Sequence, residues 1–267
     1  MDQIAIISDI HGNKAALDAV LDNIHSRNIS RIYCLGDVSV KCTHTDYVID
    51  TLRKECQVIL KGNCDEVISA QDAVTRSYWT RVKIGEERAG FLRNLPIMYE
   101  FYLSGHFVRL FHASPFGLSY IFNPMFSNKN SVNSKYELTN PMDLFANTSF
   151  IGKAKDDLVP DIIGYGHIHT PNVFRFKNKT IFNCGSVGVP IEMGNPADVA
   201  DETNKFSTLA SYTILEGVLD SKVLSGFSIN TVRVPYDIRS EIIDLQNSDM
   251  PGKEKCILSL KTASSSF

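Results

Sequence analysis

Asp9 and His11 stand two residues apart in Ile4-Ala5-Ile6-Ile7-Ser8-Asp9-Ile10-His11-Gly12-Asn13, an oxygen and a nitrogen ligand type directly after an apolar run. In extended backbone, residues i and i+2 project to the same side, so this spacing predicts that both side chains reach one ion. Comparable residues recur along the chain in Gly36-Asp37, Gly62-Asn63-Cys64-Asp65, His112 and Gly166-His167-Ile168-His169. Each follows a short apolar segment. Asp9, His11, Asp37, Asn63, His112, His167 and His169 therefore make a candidate site for two metal ions. Four of the seven histidines fall in this set, more than scattered surface or core histidines would place there. No sulfur ligand is needed, which suits divalent transition metals better than a structural thiolate zinc site. Manganese is the first candidate, with iron, nickel, cobalt and zinc as alternatives.

The elements that must position these residues follow an alternating pattern. Ile4 to Ile7 reads as a strand buried on both faces of a sheet. Gly12 permits a sharp turn, Asn13 stands where a helix N-cap belongs, and Leu17, Val20, Leu21 and Ile24 give the next helix one apolar stripe. Arg31 to Leu35 and Gln57 to Lys61 read as further strands, with a helix over Val48, Leu52 and Cys56 between them. Strands alternating with helices imply a parallel α/β sheet, whose ligands gather at strand carboxyl ends. A helix over Glu86 to Asn94 precedes a hairpin, Ile97 to Leu103 and Phe107 to His112, turning at Ser104-Gly105. Residues 116 to 150 read as a long loop or lid with one short helix near Pro141 to Phe145. Asp161 to Tyr165, Val173 to Phe176, Thr180 to Asn183, Ser211 to Glu216 and Ile229 to Pro235 resume the strand pattern. Residues 195 to 206 read as loop, a helix starts at Asp237 with Ile238, Ile242 and Leu245 on one face, and Thr262 to Phe267 reads as frayed.

The bulk numbers narrow the class. The chain has 267 residues, 43% hydrophobic and 21% charged, as expected for one large α/β domain or two small ones. A formal net charge of −3 argues against a sequence-independent nucleic-acid binder. No apolar run is long enough for a bilayer and Met1 opens no charged-then-apolar leader. Six cysteines without a C-x-x-C pair suit reduced thiols. Together these give the expectation of a cytoplasmic protein with no membrane contact. Its oligomeric state is left open.

Taken in order, Asp9-x-His11, Gly36-Asp37, Gly62-Asn63-x-Asp65, the His112 strand end and Gly166-His167-x-His169 resemble the motif series of calcineurin-like metallophosphoesterases. The resemblance spans residues 9 to 169 and continues through Asn183-x-Gly185-Ser186 to about residue 246. It implies an α/β fold of four layers, an α/β/β/α sandwich of two mixed sheets flanked by helices. That domain would occupy residues 1–246, with a lid-like insertion at about 116–150 and a C-terminal tail at 247–267. It also implies roles. Asp9, His11 and His169 would hold one metal, Asn63, His112 and His167 the other, and Asp37 would bridge them. Two ions about 3.5–4 Å apart would lower the pKa of a bridging water, whose hydroxide attacks a phosphoester in line.

The chain also departs from the family. Protein phosphatases and symmetric dinucleoside tetraphosphatases carry Asp-Arg-Gly after the bridging Asp. Here the chain reads Asp37-Val38-Ser39-Val40-Lys41-Cys42, without the phosphate-gripping arginine. Cys64 replaces the usual leaving-group histidine and is read as a proton donor, a thiolate held by the site, or a small apolar filler. Some bacterial phosphodiesterases of the family resemble it there, which favours diesters or activated esters over simple alkyl monoesters. Phe116, Tyr120, Phe122, Phe126 and Tyr136 either stack a nucleobase or bury their loop. His25, His44 and His106 read as exposed or structural, although Lys41 and His44 follow Asp37 closely enough for a minor substrate contact. The leading expectation is a phosphodiesterase or phosphatase acting on a small, nucleotide-like phosphoester. The alternatives are an asymmetric dinucleoside polyphosphate hydrolase and, from another class, a non-catalytic scaffold like a retromer subunit of this fold.

Overall fold

The computed structural model describes residues 1–70, 76–124, 136–152, 158–191 and 209–263. Phe126 and the polar stretch 195–206 lie outside them. In chain order, the first half contains β1 (Asp2–Ile7), α1 (Lys14–Ser26), β2 (Arg31–Cys34), α2 (Thr45–Glu55), β3 (Val58–Ile59), α3 (Asn63–Ser69) and α4 (Arg76–Arg93). There follow β4 (Met98–Leu103), β5 (His106–Phe111), β6 (Ile121–Phe122), β7 (Glu137–Leu138), a 3-10 helix (Pro141–Phe145) and β8 (Ile162–Tyr165). The chain closes with β9 (Asn172–Phe176), β10 (Lys179–Asn183), β11 (Ala210–Gly217), β12 (Ser228–Val234), α5 (Ile238–Asn247) and α6 (Lys253–Thr262).

Two five-stranded sheets result, ordered β12-β11-β1-β2-β3 and β4-β5-β8-β10-β9. Both are mixed. β1, β2 and β3 are parallel while β11 and β12 add antiparallel strands; β5, β8 and β10 are parallel between antiparallel β4 and β9. Side-chain alternation along β1 explains why the sheets stack. Ile4 and Ile6 face Phe101, Val108, Leu110 and Phe182 of the second sheet, whereas Ala5 and Ile7 face α1, α2 and α4. A strand with both faces covered must be apolar throughout, as this one is.

The outer face of the second sheet carries a 3-10 helix as its helical layer among the described residues. Leu144 and Phe145 pack there with Phe122 on Phe111, Ile163, Tyr165 and Ile181. Arg109 fastens this layer from β5: it is fully buried, pairs with Glu100 at 2.7 Å and donates to the Ala146 carbonyl at 3.1 Å. The insertion read as a loop with one short helix thus also holds the parallel pair β6 and β7.

Other differences have local causes. The helix read over Glu86 to Asn94 is the second half of α4, whose first half is set off by Gly85 at φ 73°. That left-handed glycine breaks the periodicity on which the reading relied. The segment after residue 246, read as a tail, contains α6. Cys256 and Leu260 bury it against Ile238, Ile242 and Leu245 of α5. Of the end read as frayed, Thr262 closes α6, Ala263 caps it, and residues 264–267 lie outside the described residues.

Candidate metal centre

β1 ends at Ile7, before the ligands, so the extended-backbone argument for Asp9 and His11 does not hold. Both residues instead take left-handed backbone, φ 55° and 53°. Asp37, His167 and His169 do the same, at φ 51°, 68° and 63°. Five of the seven candidates thus sit in a region that L-residues enter at a steric cost, relieved somewhat for Asp and His. Such strain clusters where the surrounding fold must hold a side chain in one direction. The fold holds it through loop hydrogen bonds: Asp9 N–H to Gly36 O, His11 N–H to Asp37 O, and Gly12 N–H to Val38 O, each near 3.0 Å. Asn13 then caps α1 as expected, accepting from the Ala16 N–H at 3.0 Å, and its amide also reaches the Gly188 carbonyl.

Three histidines are oriented by backbone. Nδ1 of His11 donates to Ser39 O and Nδ1 of His112 to Leu35 O, both at 3.0 Å, while Nδ1 of His169 donates to Val189 O at 2.5 Å. A carbonyl only accepts, so each ring carries a proton on Nδ1 and turns its Nε2 inward; the neutral His11 ring turns a bare one. His11 Nε2 and His169 Nε2 face each other at 3.2 Å, and Asp9 Oδ1 lies 3.2 Å from the latter and 3.7 Å from the former. Asp9 Oδ1 is buried without a hydrogen-bond partner. Three acceptors therefore converge without a hydrogen between them, an arrangement that a cation satisfies.

On the other side, His112 Nε2 lies 3.0 Å from Asn63 Oδ1 and 3.5 Å from Asp37 Oδ1. Asp37 Oδ2 lies 3.7 Å from His11 Nε2, so its two oxygens face the two halves of the cluster. Asp9, His11 and His169 form one candidate group; Asp9, Asp37 and His112 form another. His167 packs its ring edge-on to His112, with centroids 5.1 Å apart, and its backbone N–H donates to Asp9 Oδ2 at 2.9 Å. Cys64 is the second residue of α3, its Sγ grouped with His11 and Asp37. Its backbone N–H donates to Asp37 Oδ1 at 2.8 Å.

Electrostatics agree with a cation site. Burial drives the Asp9 pKa upward, yet His169, His112 and His11 together bring it well below the usual carboxylate range. Burial, Lys41 and His169 hold His11 well below an ordinary imidazole, and burial with His112 brings His167 to about 3. Both rings are neutral at pH 7, with lone pairs available to a metal. His112 is the exception: burial opposes its charge, but Asp37 and Asp9 outweigh it and raise the ring.

The motif reading missed the scaffolding. Asp65 receives Val38 N–H, Ser39 N–H, Ser39 Oγ–H and Gly62 N–H, so it ties the Asp37 loop to the Asn63 turn. It is committed to that task and is not positioned as a partner for a ring at residue 64. Gly62 must be glycine, since a Cβ there would stand 2.1 Å from Asp37 Oδ1. His44 is paired with Asp244 of α5 at 2.8 Å, His25 with Glu55, and His106 packs on Phe227. Of the insertion aromatics, Phe122 is 3% exposed and packs on Tyr165 and Phe174. Phe116, Tyr120 and Tyr136 form a surface cluster with ring spacings of 6.1 and 5.3 Å.

Comparison with known proteins accords with this geometry. Residues 3–205 match the calcineurin-like phosphoesterase superfamily domain, and the chain belongs to that superfamily. Across 260 residues it is 28% identical to the uncharacterized protein MJ0912 of Methanocaldococcus jannaschii, covering 93% of each chain. A metallophosphoesterase from Sphaerobacter thermophilus shares the fold with a TM-score of 0.67 at 22% identity, over 98% of this chain and 99% of that one. The hypothetical protein PH1004 from Pyrococcus horikoshii matches at 0.67 and 18% identity, over 99% of both chains.

Proposed function

We propose that the protein is a metal-dependent phosphoesterase with a dinuclear centre, acting on a small and nucleotide-like phosphodiester. The observation that carries this reading is the convergence of His11, His169 and Asp9 acceptors with no hydrogen to share among them. Asp9, His11 and His169 would hold one ion, Asn63, His112 and His167 the second, with Asp37 presenting one oxygen to each. Divalent ions bound there would act as Lewis acids on the phosphoryl group and acidify a water.

The chain's own residues supply orientation. Backbone carbonyls fix the three imidazoles, so the ligand set is preorganised and little reorganises on binding. The donor set contains only two carboxylates, which leaves a centre with two divalent ions positively charged and attractive to a phosphate anion. Cys64, with its thiol raised well above the usual value by burial and by Asp37, is a poor proton shuttle at neutral pH. That favours esters whose leaving group departs without a proton. The Phe116, Tyr120 and Tyr136 cluster, with Phe116 38% and Tyr136 40% exposed, supports a planar base as part of the substrate.

The test is hydrolysis of bis(4-nitrophenyl) phosphate, cyclic nucleotides and dinucleoside polyphosphates after loading with manganese. The expected result is turnover of the diester that chelation abolishes and manganese restores. A fully loaded protein inert toward all three classes would overturn the reading and favour a non-catalytic role for the fold.

A further inference from the structure

A cleft of about 730 Å³ opens near the metal centre, and none of the seven candidate ligands lines it. Its first wall is the loop before α2. The Cys42 N–H donates to His11 O at 2.8 Å and the His44 N–H to Gly12 O at 3.0 Å, so the loop that borders the centre runs on into the cleft at Thr43 and His44. The first half of α4 is the second wall, and the end of α5 with the turn after it is the third. Gly85 sets that half of α4 off from the rest, and a Cβ there would meet nothing within 4 Å. Glycine therefore serves the kink and not a close approach. The kinked half bridges the other walls: Lys83 holds the Thr43 carbonyl, and Trp79 Nε1 donates to Asp249 Oδ1 at 2.9 Å. His44 and Asp244 join the loop to α5 at 2.8 Å.

Two features of this preformed cleft are left unmatched. Tyr78 and Val82, one helical turn apart on its rim, are 60% and 63% exposed. Thr43 is only 4% exposed, yet its hydroxyl has no hydrogen-bond partner. A buried hydroxyl is costly unless something supplies a partner. We infer that this cleft binds a purine base carrying an exocyclic amine. A planar ring can cover Tyr78 and Val82, while Trp79, already fixed by Asp249, walls it. The Asp244 and Asp249 carboxylates and the Thr43 hydroxyl offer acceptors, so the ring should bring N–H donors. The cations of the cleft are engaged, His44 by Asp244 and Lys83 by the Thr43 carbonyl, by Asp46 at 3.8 Å and by the Trp79 ring at 5.5 Å. A phosphate gains no free partner inside, which restricts the cleft to the neutral end of a nucleotide. The inference rests on the nucleotide-like part of the reading above, not on its hydrolytic part. It adds a place for a base on the side of the first sheet, whereas Phe116 and Tyr120 follow β5 of the second.

Trp79 is the single tryptophan of the chain, so its fluorescence reports on this cleft. The experiment titrates adenosine, with uridine as the comparison, into full-length protein with and without manganese. Calorimetry and Tm are measured in parallel on wild type, Tyr78→Ala and Thr43→Val. Adenosine is expected to change Trp79 fluorescence saturably whether or not manganese is present, and uridine, which lacks the amine, to bind at least about tenfold more weakly. Tyr78→Ala is expected to weaken adenosine by roughly 5–100-fold, as loss of a stacking partner does. Thr43→Val keeps the shape and removes the orphan hydroxyl, so Tm is expected at or above wild type while adenosine weakens by roughly 5–10-fold. That divergence separates a ligand contact from a structural residue. Unchanged fluorescence up to millimolar adenosine, or binding that neither substitution alters, would overturn the inference, even in a protein that cleaves the diester. Adenosine bound with these dependences by a protein inert toward every phosphoester would uphold it and overturn only the hydrolytic reading.

Discussion

At position 64 the chain places a thiol beside the amide of Asn63, with 3.6 Å between Asn63 Nδ2 and Sγ. Removing the two groups should have different consequences. Asn63→Ala takes away an oxygen that faces His112 and should empty half of the centre. Cys64→Ala takes away a raised-pKa thiol that is a weak acid catalyst at best. General acid catalysis is typically worth ~10²–10⁴-fold, but a nitrophenolate leaves without needing a proton. Cys64→Ala should therefore retain its metal and lose less than about tenfold in kcat/KM on bis(4-nitrophenyl) phosphate. Activity as low as that of Asn63→Ala, with metal intact, would make the sulfur a direct participant. Introducing histidine at 64 is expected to help alkyl monoesters little, because Asp65 is already saturated by Gly62, Val38 and Ser39. The residue types were legible in the sequence because they are few and chemically distinctive. The role of Asp65 was not, because its partners are backbone N–H groups and carry no side-chain signature.

At the scale of elements, the strands could be read because apolar runs leave periodic marks, and Ile4 to Ile7 is one of them. The loops after those strands could not, because left-handed conformations at Asp9, His11 and Asp37 are imposed by tertiary hydrogen bonds. The packing of α5 and α6 was half legible: Ile238, Ile242 and Leu245 mark α5, but α6 has no comparable stripe, its Cys256, Ser259 and Leu260 being its buried residues. One buried carboxylate of α5 faces the start of α1 and the loop before α2. Glu241 is 1% exposed, neither of its oxygens has a hydrogen-bond partner, and the Ala15 N–H, Cys42, His44 and Asp244 lie around it, with Lys14 also within its field. Burial raises its pKa from 4.5 to about 7, partly offset by His44. The folded state thus holds a proton that the unfolded chain releases earlier. Its stabilising contribution is full below about pH 4.5 and is lost as pH rises through about 7. Glu241→Gln keeps the shape and removes the titration. Its Tm should fall less steeply than wild type between pH 5 and 8 and should lie above it at pH 8, by roughly 2–4 °C per kcal/mol. Parallel melting curves across that range would show that Glu241 is already ionised and solvated.

For the whole molecule, two mixed sheets bring strand ends from both halves of the chain to one edge of the sandwich. β1 and β2 deliver Asp9, His11 and Asp37, while β5 and β8 deliver His112, His167 and His169. The separation of 158 residues between His11 and His169 closes to 3.2 Å only when both sheets are assembled. The central claim is that this assembled edge holds two metal ions. The most direct test is elemental analysis of the full-length protein after saturation with manganese and removal of free ion, alongside Asp37→Ala. Two ions per chain in the wild type, and a marked loss of both in Asp37→Ala, are expected because the Asp37 oxygens face both halves. One ion or none in the wild type would contradict the account.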